Sequence, residues 1–401
     1  MPRILRIINR LNLGGPTFNV AFLSKFLAPE FETMLVAGMI DETEESSSFI
    51  TDEMGLKPVY IPEMYREIHL VKDRRAYLRL KKIIRDFKPD IVHTHAAKAG
   101  ALGRLAATAC GVRVIVHTFH GHVFHSYFPT WKTSAFIAIE KYLAGKSDAI
   151  IAISNKQKEE LARVYNLCPP QKITVIPLGF DLQKFSVNLS ARRKKFRNQY
   201  LVEDDEIVLV MVGRLVPVKN HVLLLKALKS IQSKTSKKLR VFIVGDGEER
   251  QHIESVAASL QLDYTDFHSQ PRVALLTFTS WIREVEDVYA GADIVTLTSL
   301  NEGTPVSLIE AQAAGKPIVT TDVGGIMDIV VPGKNALVAA ANDEQSFAEK
   351  LLLLIEDDLL RINMTGYNAD AVTANFHYRR LIEETAALYR KLLNEAGSRV
   401  S

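Results

Sequence analysis

Short apolar runs rich in β-branched residues recur along the first half of the chain and alternate with longer segments of helical periodicity. This spacing is typical of strand–helix–strand units, in which successive strands lie parallel and helices cover both faces of the sheet. The candidate strands are ILRIINRL (4–11), TMLVAGM (33–39), DIVHTH (90–95), VRVIVHTF (112–119), AIIAIS (149–154) and ITVIPL (173–178). The pattern predicts a doubly wound parallel α/β sheet.

The same alternation begins again after PLGFDLQKF (177–185), a segment with a Pro/Gly turn and no strong periodicity. The second set of candidate strands is IVLVMVG (207–213), RVFIVGDG (240–247), LLTFTSW (275–281), IVTLTS (294–299), PIVTTDVGG (317–325) and ALVAA (336–340). A long helical segment (377–396) finishes the chain. We therefore expect two Rossmann-like domains, residues 1–180 and 181–379, whose parallel sheets face each other across a cleft.

Composition narrows the class of protein. The chain has 401 residues, of which 47% are apolar and 24% charged, which is an ordinary globular balance. A formal charge of +4 is too weak to indicate nucleic acid, and it is compatible with weak attraction to an anionic membrane. Two cysteines argue against a disulfide framework. With no long apolar run and no signal pattern at the N-terminus, we expect a cytoplasmic protein.

The stretch NEGTPVSLIEAQAAG (301–315) carries two glutamates eight positions apart, Glu302 and Glu310. It follows a candidate strand, and Pro305 suits a first helical turn with Thr304 as its cap. The N–H groups of such a turn form an anion site, with Glu302 beside it. A carboxylate next to a phosphate indicates a sugar nucleotide. The alternative is a capping acid and a helix glutamate satisfied by a neighbouring strand.

Two cations follow the strand VLVMVG, in the segment GRLVPVKN (213–220). Arg214 and Lys219 at a strand end could neutralise a diphosphate leaving group without a metal. The alternative is that both are ordinary surface charges. Because they lie in the same predicted domain as Glu302 and Glu310, we favour a functional role.

Histidines cluster in the first domain, and three interpretations compete for them. A zinc site would need a closed set of ligands, and the spacing here matches no strong zinc pattern. Packing accounts for several of the rings in the second interpretation. In the third, one histidine at a strand end is a catalytic hydrogen-bond donor or acceptor. The cluster comprises His93, His95, His117, His120, His122 and His125.

Glycine turns follow strands in both halves. Gly14 and Gly15 precede Pro16, which opens a helix, and such a turn lets backbone approach a ligand closely. The turn is not GxGxxG, which counts against a dinucleotide cofactor. We interpret the second turn, GDG (245–247), as structural.

Taken together, these segments resemble family four of the glycosyltransferases, group 1 type, which have the GT-B fold. The resemblance spans nearly the whole chain in the right order, and HTHAAKAGALGRLAA (93–107) is similar to bacterial members that build cell-surface polysaccharides. The segments that carry it are GG (14–15), HTFHGH (117–122), GRLVPVKN (213–220), GDG (245–247) and SLNEGTPVSLIEAQAAGKPIVTTDVGG (299–325).

The resemblance implies a retaining, metal-independent transfer of a hexosyl or N-acetylhexosaminyl group from a nucleotide-sugar, here a UDP-sugar, without a cofactor. It also implies that the final helix, about 380–401, packs back onto the first domain. Arg214 and Lys219 would bind the donor diphosphate, Glu302 the sugar hydroxyls and Glu310 the ribose. The remaining implied contacts are His120 to the sugar, Gly14 and Gly15 near the diphosphate and acceptor, Gly303, Thr304, Pro305 and Val306 to phosphate, and Trp281 and Ile282 near the base.

This chain departs from the family pattern in two places. Ser280 stands where glycine is commoner, and Ile282 where arginine is commoner. His125 lies where related sequences often carry an acid. The first departure concerns the base pocket and the second the acceptor contacts.

The prediction of the acceptor is based on the resemblance. It favours a sugar or a polyprenyl-diphosphate-linked glycan at the cytoplasmic face of the inner membrane. RRAYLRLKKIIRDFK (74–88) could be a membrane-surface helix or a core helix with a solvated basic face. SARRKKFRN (190–198) is equally open, and the aromatic loop VFHSYFPTW (123–131) could meet a lipid or pack. Alternative functions are a sugar-nucleotide epimerase of the same shape and a catalytically inactive nucleotide-sugar-binding protein.

Overall fold

A computed structural model describes residues 1–12, 14–40, 47–65, 67–121, 130–367 and 369–398, with backbone alone for 130–132. The chain divides into two compact units. The first comprises residues 1–180 and 376–401, and the second residues 181–375. No helix in the described part of the chain combines the length and apolar character needed to cross a bilayer.

The first unit is built on a seven-stranded parallel sheet with the order β3-β2-β1-β4-β5-β6-β7. Its strands are β1 (Arg3–Ile8), β2 (Glu32–Gly38), β3 (Val59–Ile61), β4 (Ile91–His95), β5 (Val114–Phe119), β6 (Ala149–Ala152) and β7 (Ile173–Val175). The helices between them are α1 (Gly15–Phe26), α2 (Ser48–Glu53), α3 (Leu70–Phe87), α4 (Ala97–Ala109), α5 (Thr130–Lys146) and α6 (Asn155–Glu159), with a π-helical turn at Glu160–Val164 and a 3₁₀ turn at Pro170–Lys172.

The second unit repeats this architecture with a seven-stranded parallel sheet in the order β10-β11-β9-β8-β12-β13-β14. Its strands are β8 (Glu206–Val212), β9 (Lys238–Val244), β10 (Tyr264–Asp266), β11 (Leu276–Phe278), β12 (Ile294–Leu297), β13 (Ile318–Asp322) and β14 (Ala336–Ala340). Its helices are α7 (Leu189–Gln199), α8 (His221–Ile231), α9 (Arg250–Ser259), α10 (Val285–Gly291), α11 (Val306–Ala313), α12 (Glu344–Glu356), α13 (Asp358–Met364) and α14 (Ala369–Asn375), with 3₁₀ turns at Gln183–Phe185, Pro217–Lys219 and Ile326–Asp328.

The chain then returns to the first unit in α15 (Tyr378–Ser398), which packs with α1 on one face of the first sheet. Its buried stripe includes Leu381, Tyr389 and Leu392, which join a core with Ile4 and Val116 of the strands. The opposite face of the sheet is covered by α3 and α4. Both faces of the sheet are therefore buried, which explains why its strands are mostly apolar, with Arg6, His93 and His95 as buried polar exceptions.

The predicted parallel α/β class is confirmed, and every predicted strand is present. Two edge strands, β3 and β10, were not predicted, because each has three residues and, unlike the equally short β7 and β11, is not part of a longer apolar run. Several predicted runs extended beyond the observed strand ends, as in PIVTTDVGG, where β13 ends at Asp322. These overruns are the turns at the carboxyl edge of each sheet, where the sequence stays apolar or glycine-rich after the ladder ends.

Candidate active site

The strand order of the second sheet reverses between β8 and β12. From β8 the chain adds β9 on one side, and from β12 it adds β13 and β14 on the other side. Ligands of open α/β sheets bind outside the carboxyl ends of the strands at such a switch point. The loop after β8 carries Arg214 and Lys219, and the loop after β12 carries Glu302 and leads to α11. Topology alone therefore brings these two segments to one place.

Lys219 and Glu302 contact each other across this switch point. The Nζ atom of Lys219 donates to Oε1 of Glu302 at 2.5 Å, and the Ser299 hydroxyl donates to the same oxygen at 2.6 Å. Both charged side chains are largely buried, with 19% and 10% of their surface exposed. The Glu302 carboxylate thus holds the Lys219 ammonium in position, and the Ser299 hydroxyl, just after β12, holds the carboxylate.

The glycine pair Gly324–Gly325, which has no predicted role, fixes the Glu302 loop. The N–H of Gly325 donates to the Glu302 carbonyl at 3.1 Å. A Cβ atom added to Gly324 would lie 1.7 Å from the same carbonyl oxygen, and one added to Gly325 would lie 2.0 Å from that of Gly303. Only glycine allows this approach, so the turn after β13 supports the loop after β12. The double glycine at a predicted strand end was the available signal.

The N-terminus of α11 differs in detail from the prediction. The helix begins at Val306 with Pro305 in the cap position and no side-chain cap. Thr304 was expected to cap it, but its hydroxyl is buried without a hydrogen-bond partner among the described residues. The prediction of a Thr304 cap is therefore wrong, because Pro305 takes the extended cap conformation itself. First-turn N–H groups have no carbonyl of their own helix to pair with, so this end can still receive an anion.

Arg214 lies on the loop after β8, and its guanidinium is 3.9 Å from the Glu248 carboxylate. The GDG turn supports this loop from β9. A Cβ atom at Gly245 would lie 2.0 Å from the Gly213 carbonyl oxygen, and one at Gly247 would lie 2.4 Å from that of Leu215. The structural interpretation of GDG thus agrees with its contacts, since both glycines let the two loops pack backbone against backbone.

Glu310 lies on α11, and its part-buried carboxylate accepts a hydrogen bond from the Tyr289 hydroxyl at 3.0 Å. Among the described residues it forms no ion pair. Burial raises the pKa of Glu310 to about 7, although the positive charge of Lys184 and the Tyr289 bond lower it. Tyr289 is fully buried, and burial raises its pKa well above the ordinary value, so it remains a neutral donor. A carboxylate with one uncharged partner retains capacity to accept further hydrogen bonds.

The predicted base-side residues follow β11. Trp281 and Ile282 are half-buried, and the Trp281 ring lies 3.5 Å from the position of a Cβ atom on Gly245. Ser280 has a φ of 52°, in the left-handed region that glycine favours, and its hydroxyl donates to Asp246 at 3.2 Å. This backbone conformation suits glycine better than serine, and the bond to Asp246 offsets part of the strain.

In the first unit the switch point lies between β1 and β4. Gly14 has a φ of 152° and precedes α1, in which Gly15 is the first residue and Pro16 the second. On the other side of the switch point Ala96 has a φ of 65° and a ψ of 159°, a strained conformation for alanine. Ala96 was not predicted from the sequence, since nothing in an alanine side chain signals an unusual backbone.

The described histidines of the cluster separate onto the two faces of the first sheet. His93 and His95 are buried on the face beneath α15, and His117 is buried on the other face, where it pairs with Thr94 at 2.8 Å. His120 follows β5 and contacts His95 ring to ring. His122 and His125 lie outside the described residues, as does most of the aromatic loop 123–131. Within the described ranges no group of three or more His, Cys, Asp or Glu residues is placed to hold a metal ion.

Among the predicted site residues, Lys219 contacts Glu302, which lies four positions before the start of α11. Arg214 is on the same loop as Lys219. Glu310 is not in contact with Glu302 and instead bonds to Tyr289. Gly14, Gly15 and His120 belong to the first unit. Ser299, Gly324, Gly325 and Tyr289 are the supporting residues that were not assigned from the sequence.

Comparison with known proteins agrees across both units. The model of the family described as "Glycosyltransferase Family 4" matches residues 17–184, and that of "Glycosyl transferases group 1" matches residues 192–371. An Escherichia coli UDP-Gal:alpha-D-GlcNAc-diphosphoundecaprenol alpha-1,3-galactosyltransferase is 30% identical over 351 residues, covering 86% of this chain and 87% of the relative. The capsular polysaccharide biosynthesis glycosyltransferase CapM of Staphylococcus aureus is 27% identical over 84% of this chain and 86% of the relative.

Solved structures show the same fold at lower identity. Anabaena HepE, crystallised with UDP-glucose, superposes with a TM-score of 0.80 at 17% identity over 98% of this chain and 100% of that one. A sucrose-phosphate synthase from Thermosynechococcus elongatus gives 0.81 at 18% identity over 98% of this chain and 100% of that one. With this architecture and these matches, the chain belongs to family 4 of the glycosyltransferases, group 1 type, and is a glycosyltransferase with the GT-B fold.

Proposed function

We propose that this protein is a retaining, metal-independent glycosyltransferase that moves a hexose from a UDP-sugar to a polyprenyl-diphosphate-linked sugar during cell-surface polysaccharide assembly. The observation that carries the proposal is the pairing of Lys219 with Glu302 beside the start of α11, at the switch point of the second sheet. The activity of the Escherichia coli relative and the UDP-glucose complex of HepE support the choice of donor and acceptor.

In this proposal the second unit binds the donor. Lys219, Arg214 and the N–H groups of Gly303, Thr304 and Val306 hold the diphosphate, while Pro305 fixes the turn. Glu302 accepts hydrogen bonds from the transferred sugar, and Glu310 accepts them from the ribose. Trp281 and Ile282 border the base. In the first unit we propose Gly14 and Gly15 as substrate contacts and His120 as the partner of a sugar hydroxyl.

The proposed chemistry follows from what these groups can do. A double displacement would need a carboxylate nucleophile about 5 Å from an acid partner. Glu302 is held by Lys219 and Ser299, and Glu310 by Tyr289, so both are suited to hydroxyl recognition. We therefore propose attack from the side of the leaving group, with a phosphate oxygen of the donor taking the acceptor's proton. Lys219, Arg214 and the helix N-terminus stabilise the charge that develops on the diphosphate.

The experiment that tests this function is slow hydrolysis of a panel of nucleotide-sugars, because hydrolysis needs no known acceptor. We expect release of UDP from a UDP-hexose, with the α-anomer of the sugar formed first, and the same rate in EDTA. Loss of activity in EDTA that zinc restores would contradict metal independence. Conversion of the donor to an epimer would favour an epimerase, and tight donor binding without turnover on any acceptor would favour an inactive binding protein.

We also propose that the protein binds the cytoplasmic face of the inner membrane peripherally, through the N-terminal half of α3. This helix buries Ala76, Leu80 and Ile84 against the sheet. Its other side exposes Leu70 by 84% and Val71 by 57%. Exposed Arg74, Arg75, Lys82 and Arg85 follow along the same helix. Exposed apolar side chains followed by cations are the combination that binds an anionic bilayer surface.

Replacing Leu70 and Val71 together by serine is expected to weaken binding to vesicles of anionic phospholipid by about tenfold or more, because two apolar side chains no longer enter the bilayer. Co-sedimentation with such vesicles measures the effect. The matched control is serine at Leu359 and Ile362, which are 73% and 65% exposed on α13 of the second unit. Equal losses in the two double variants, or undiminished binding of the first, would contradict the assignment to α3.

A further inference from the structure

A chain of buried polar side chains crosses the first unit beneath α15. Arg6 of β1 donates to the Tyr389 hydroxyl at 3.1 Å, and that hydroxyl lies 2.5 Å from Nδ1 of His93. Nε2 of His93 lies 2.7 Å from the Thr118 hydroxyl. Because Arg6 can only donate, the Tyr389 oxygen accepts from it and its hydrogen is available to His93. His93 therefore carries its own proton on Nε2, and its tautomer is set by its neighbours.

The next histidine on the same face of β4 continues toward the carboxyl edge of the sheet. The His95 ring lies 4.2 Å from the His93 ring, and Nδ1 of His95 is 2.9 Å from Nε2 of His120. His95 is completely buried, whereas His120 is half-buried just after β5. Burial, and after it the charges of His93, His120 and Arg6, lower the pKa of His95 well below its ordinary value, and burial lowers the pKa of His120 to about 4. Both rings are therefore neutral near pH 7, and one proton lies between them.

Two ring nitrogens of this pair have no hydrogen-bond partner among the described residues. They are Nε2 of His95, inside the sheet, and Nδ1 of His120, just beyond the end of β5, and both atoms are buried. If His120 donated from Nε2, His95 would carry its proton on the interior nitrogen, where no ligand can reach it. If His95 donates from Nδ1, the unpaired N–H is instead on His120. An N–H group buried without any partner is rarer and costlier than an unpaired lone pair, so donation from Nδ1 of His95, which leaves only a lone pair in the interior, is favoured.

We propose that His95 is a positioning residue that donates from Nδ1 to His120 and thereby holds the His120 proton on Nδ1, so that His120 offers a hydrogen-bond donor to a sugar hydroxyl. The proposal rests on the proposed function in one respect, namely that a sugar hydroxyl binds at this edge of the first sheet. In this arrangement His120 does not act as a base. The hydroxyl that it contacts accepts a hydrogen bond from it and keeps its own hydrogen for another partner.

The direct test is NMR of the full-length protein labelled with ¹⁵N at histidine, recorded without ligand near pH 7. Protonated and unprotonated ring nitrogens have well separated ¹⁵N shifts, and a His120→Asn variant identifies the resonances of His120. We expect Nδ1 of His120 to be protonated and Nε2 to be unprotonated. Protonation on Nε2, or comparable populations of the two tautomers, would overturn the inference whatever the turnover of the enzyme.

Two substitutions at His95 separate positioning from packing. His95→Leu fills the site without a donor, and we expect Nε2 protonation of His120 to increase and turnover to fall about tenfold or more. His95→Asn keeps an N–H near the position of Nδ1, and we expect it to restore both the wild-type tautomer and most of the turnover. The inference fails if the asparagine variant resembles the leucine variant in both measurements, or if the leucine variant keeps the wild-type tautomer.

His117→Leu is the matched control, because His117 is equally buried in the same sheet but on the opposite face, where it pairs with Thr94. We expect it to lower the melting temperature without changing the His120 tautomer. A tautomer change in this control as large as that in His95→Leu would overturn the inference. Nδ1 protonation of His120 together with full turnover of His120→Ala would support tautomer control by His95 and would contradict the proposed sugar contact instead.

Discussion

Lys219→Ala is expected to lower the rate of sugar transfer or donor hydrolysis by about a thousandfold, the cost of removing one preorganised group that stabilises charge on the leaving group. In the structure the Lys219 ammonium is 2.5 Å from Glu302 and only 19% of its side chain is exposed. A largely desolvated cation acts on a developing diphosphate charge more strongly than one in water. Steady-state kinetics with saturating donor measure the change in turnover, and Arg214→Ala is expected to act in the same direction.

The matched control is Lys226→Ala. Lys226 belongs to α8, the helix that follows Lys219, but it is half exposed and pairs with Glu344 at the surface over 3.3 Å. An exposed pair of this kind contributes little, so activity is expected to stay within about twofold of wild type. If Lys219→Ala retained near-normal turnover, or if both lysine variants lost activity equally, the assignment of Lys219 to the diphosphate would be wrong.

Glu310→Gln is expected to stabilise the second unit at pH 8 and at the same time to weaken donor binding by tenfold or more. Burial raises the pKa of Glu310 from 4.5 to about 7. Protonation of Glu310 therefore contributes about 3 kcal/mol to the free energy of unfolding below the unfolded pKa of 4.5. This contribution is lost as the pH rises through about 7. Glutamine has no such loss. The melting temperature of the variant is therefore expected to exceed that of wild type by about 5 °C at pH 8, with a much smaller difference at pH 5.

Donor binding is expected to require the ionised form of Glu310, whereas folding favours the protonated form. Only the ionised carboxylate accepts hydrogen bonds from two hydroxyls while also accepting one from Tyr289. The affinity of the wild type for a nucleotide-sugar is thus expected to rise about tenfold per pH unit up to neutrality and then level. A nucleotide-sugar suits this titration because its diphosphate does not ionise near pH 7. A wild-type affinity that is flat between pH 5.5 and 8, or an unchanged affinity in Glu310→Gln, would contradict ribose recognition by Glu310.

Much of this fold and part of the candidate site could be predicted from the sequence because both depend on local pattern. Buried parallel strands are continuous apolar runs, and the residues just after them lie at the carboxyl edge of the sheet. Arg214, Lys219 and Glu302 were recognisable for that reason. Their roles in binding and catalysis are still predictions, as are those of His120 and Glu310.

Most of the supporting contacts could not be predicted, because they join residues from distant parts of the chain; Ser299, three positions before Glu302, is a local exception. Tyr389 reaches Arg6 across 383 positions, and Tyr289 reaches Glu310 across 21. The closeness of Gly324 to the Glu302 carbonyl is likewise a fact of packing between two loops. No periodicity in a single segment encodes such pairings. The prediction of a Thr304 cap failed for a local reason. Pro305 has an extended backbone and is itself the cap residue, so Thr304 lies one position before the cap.

The most direct test of the account is the fate of the sugar when a panel of nucleotide-sugars is incubated with the protein in EDTA and followed by ¹H NMR. We predict that one UDP-hexose is cleaved, that α-sugar and UDP are the first products, and that Lys219→Ala slows the reaction about a thousandfold. First formation of β-sugar, cleavage that Lys219→Ala leaves unchanged, or failure to cleave any member of the panel would contradict it.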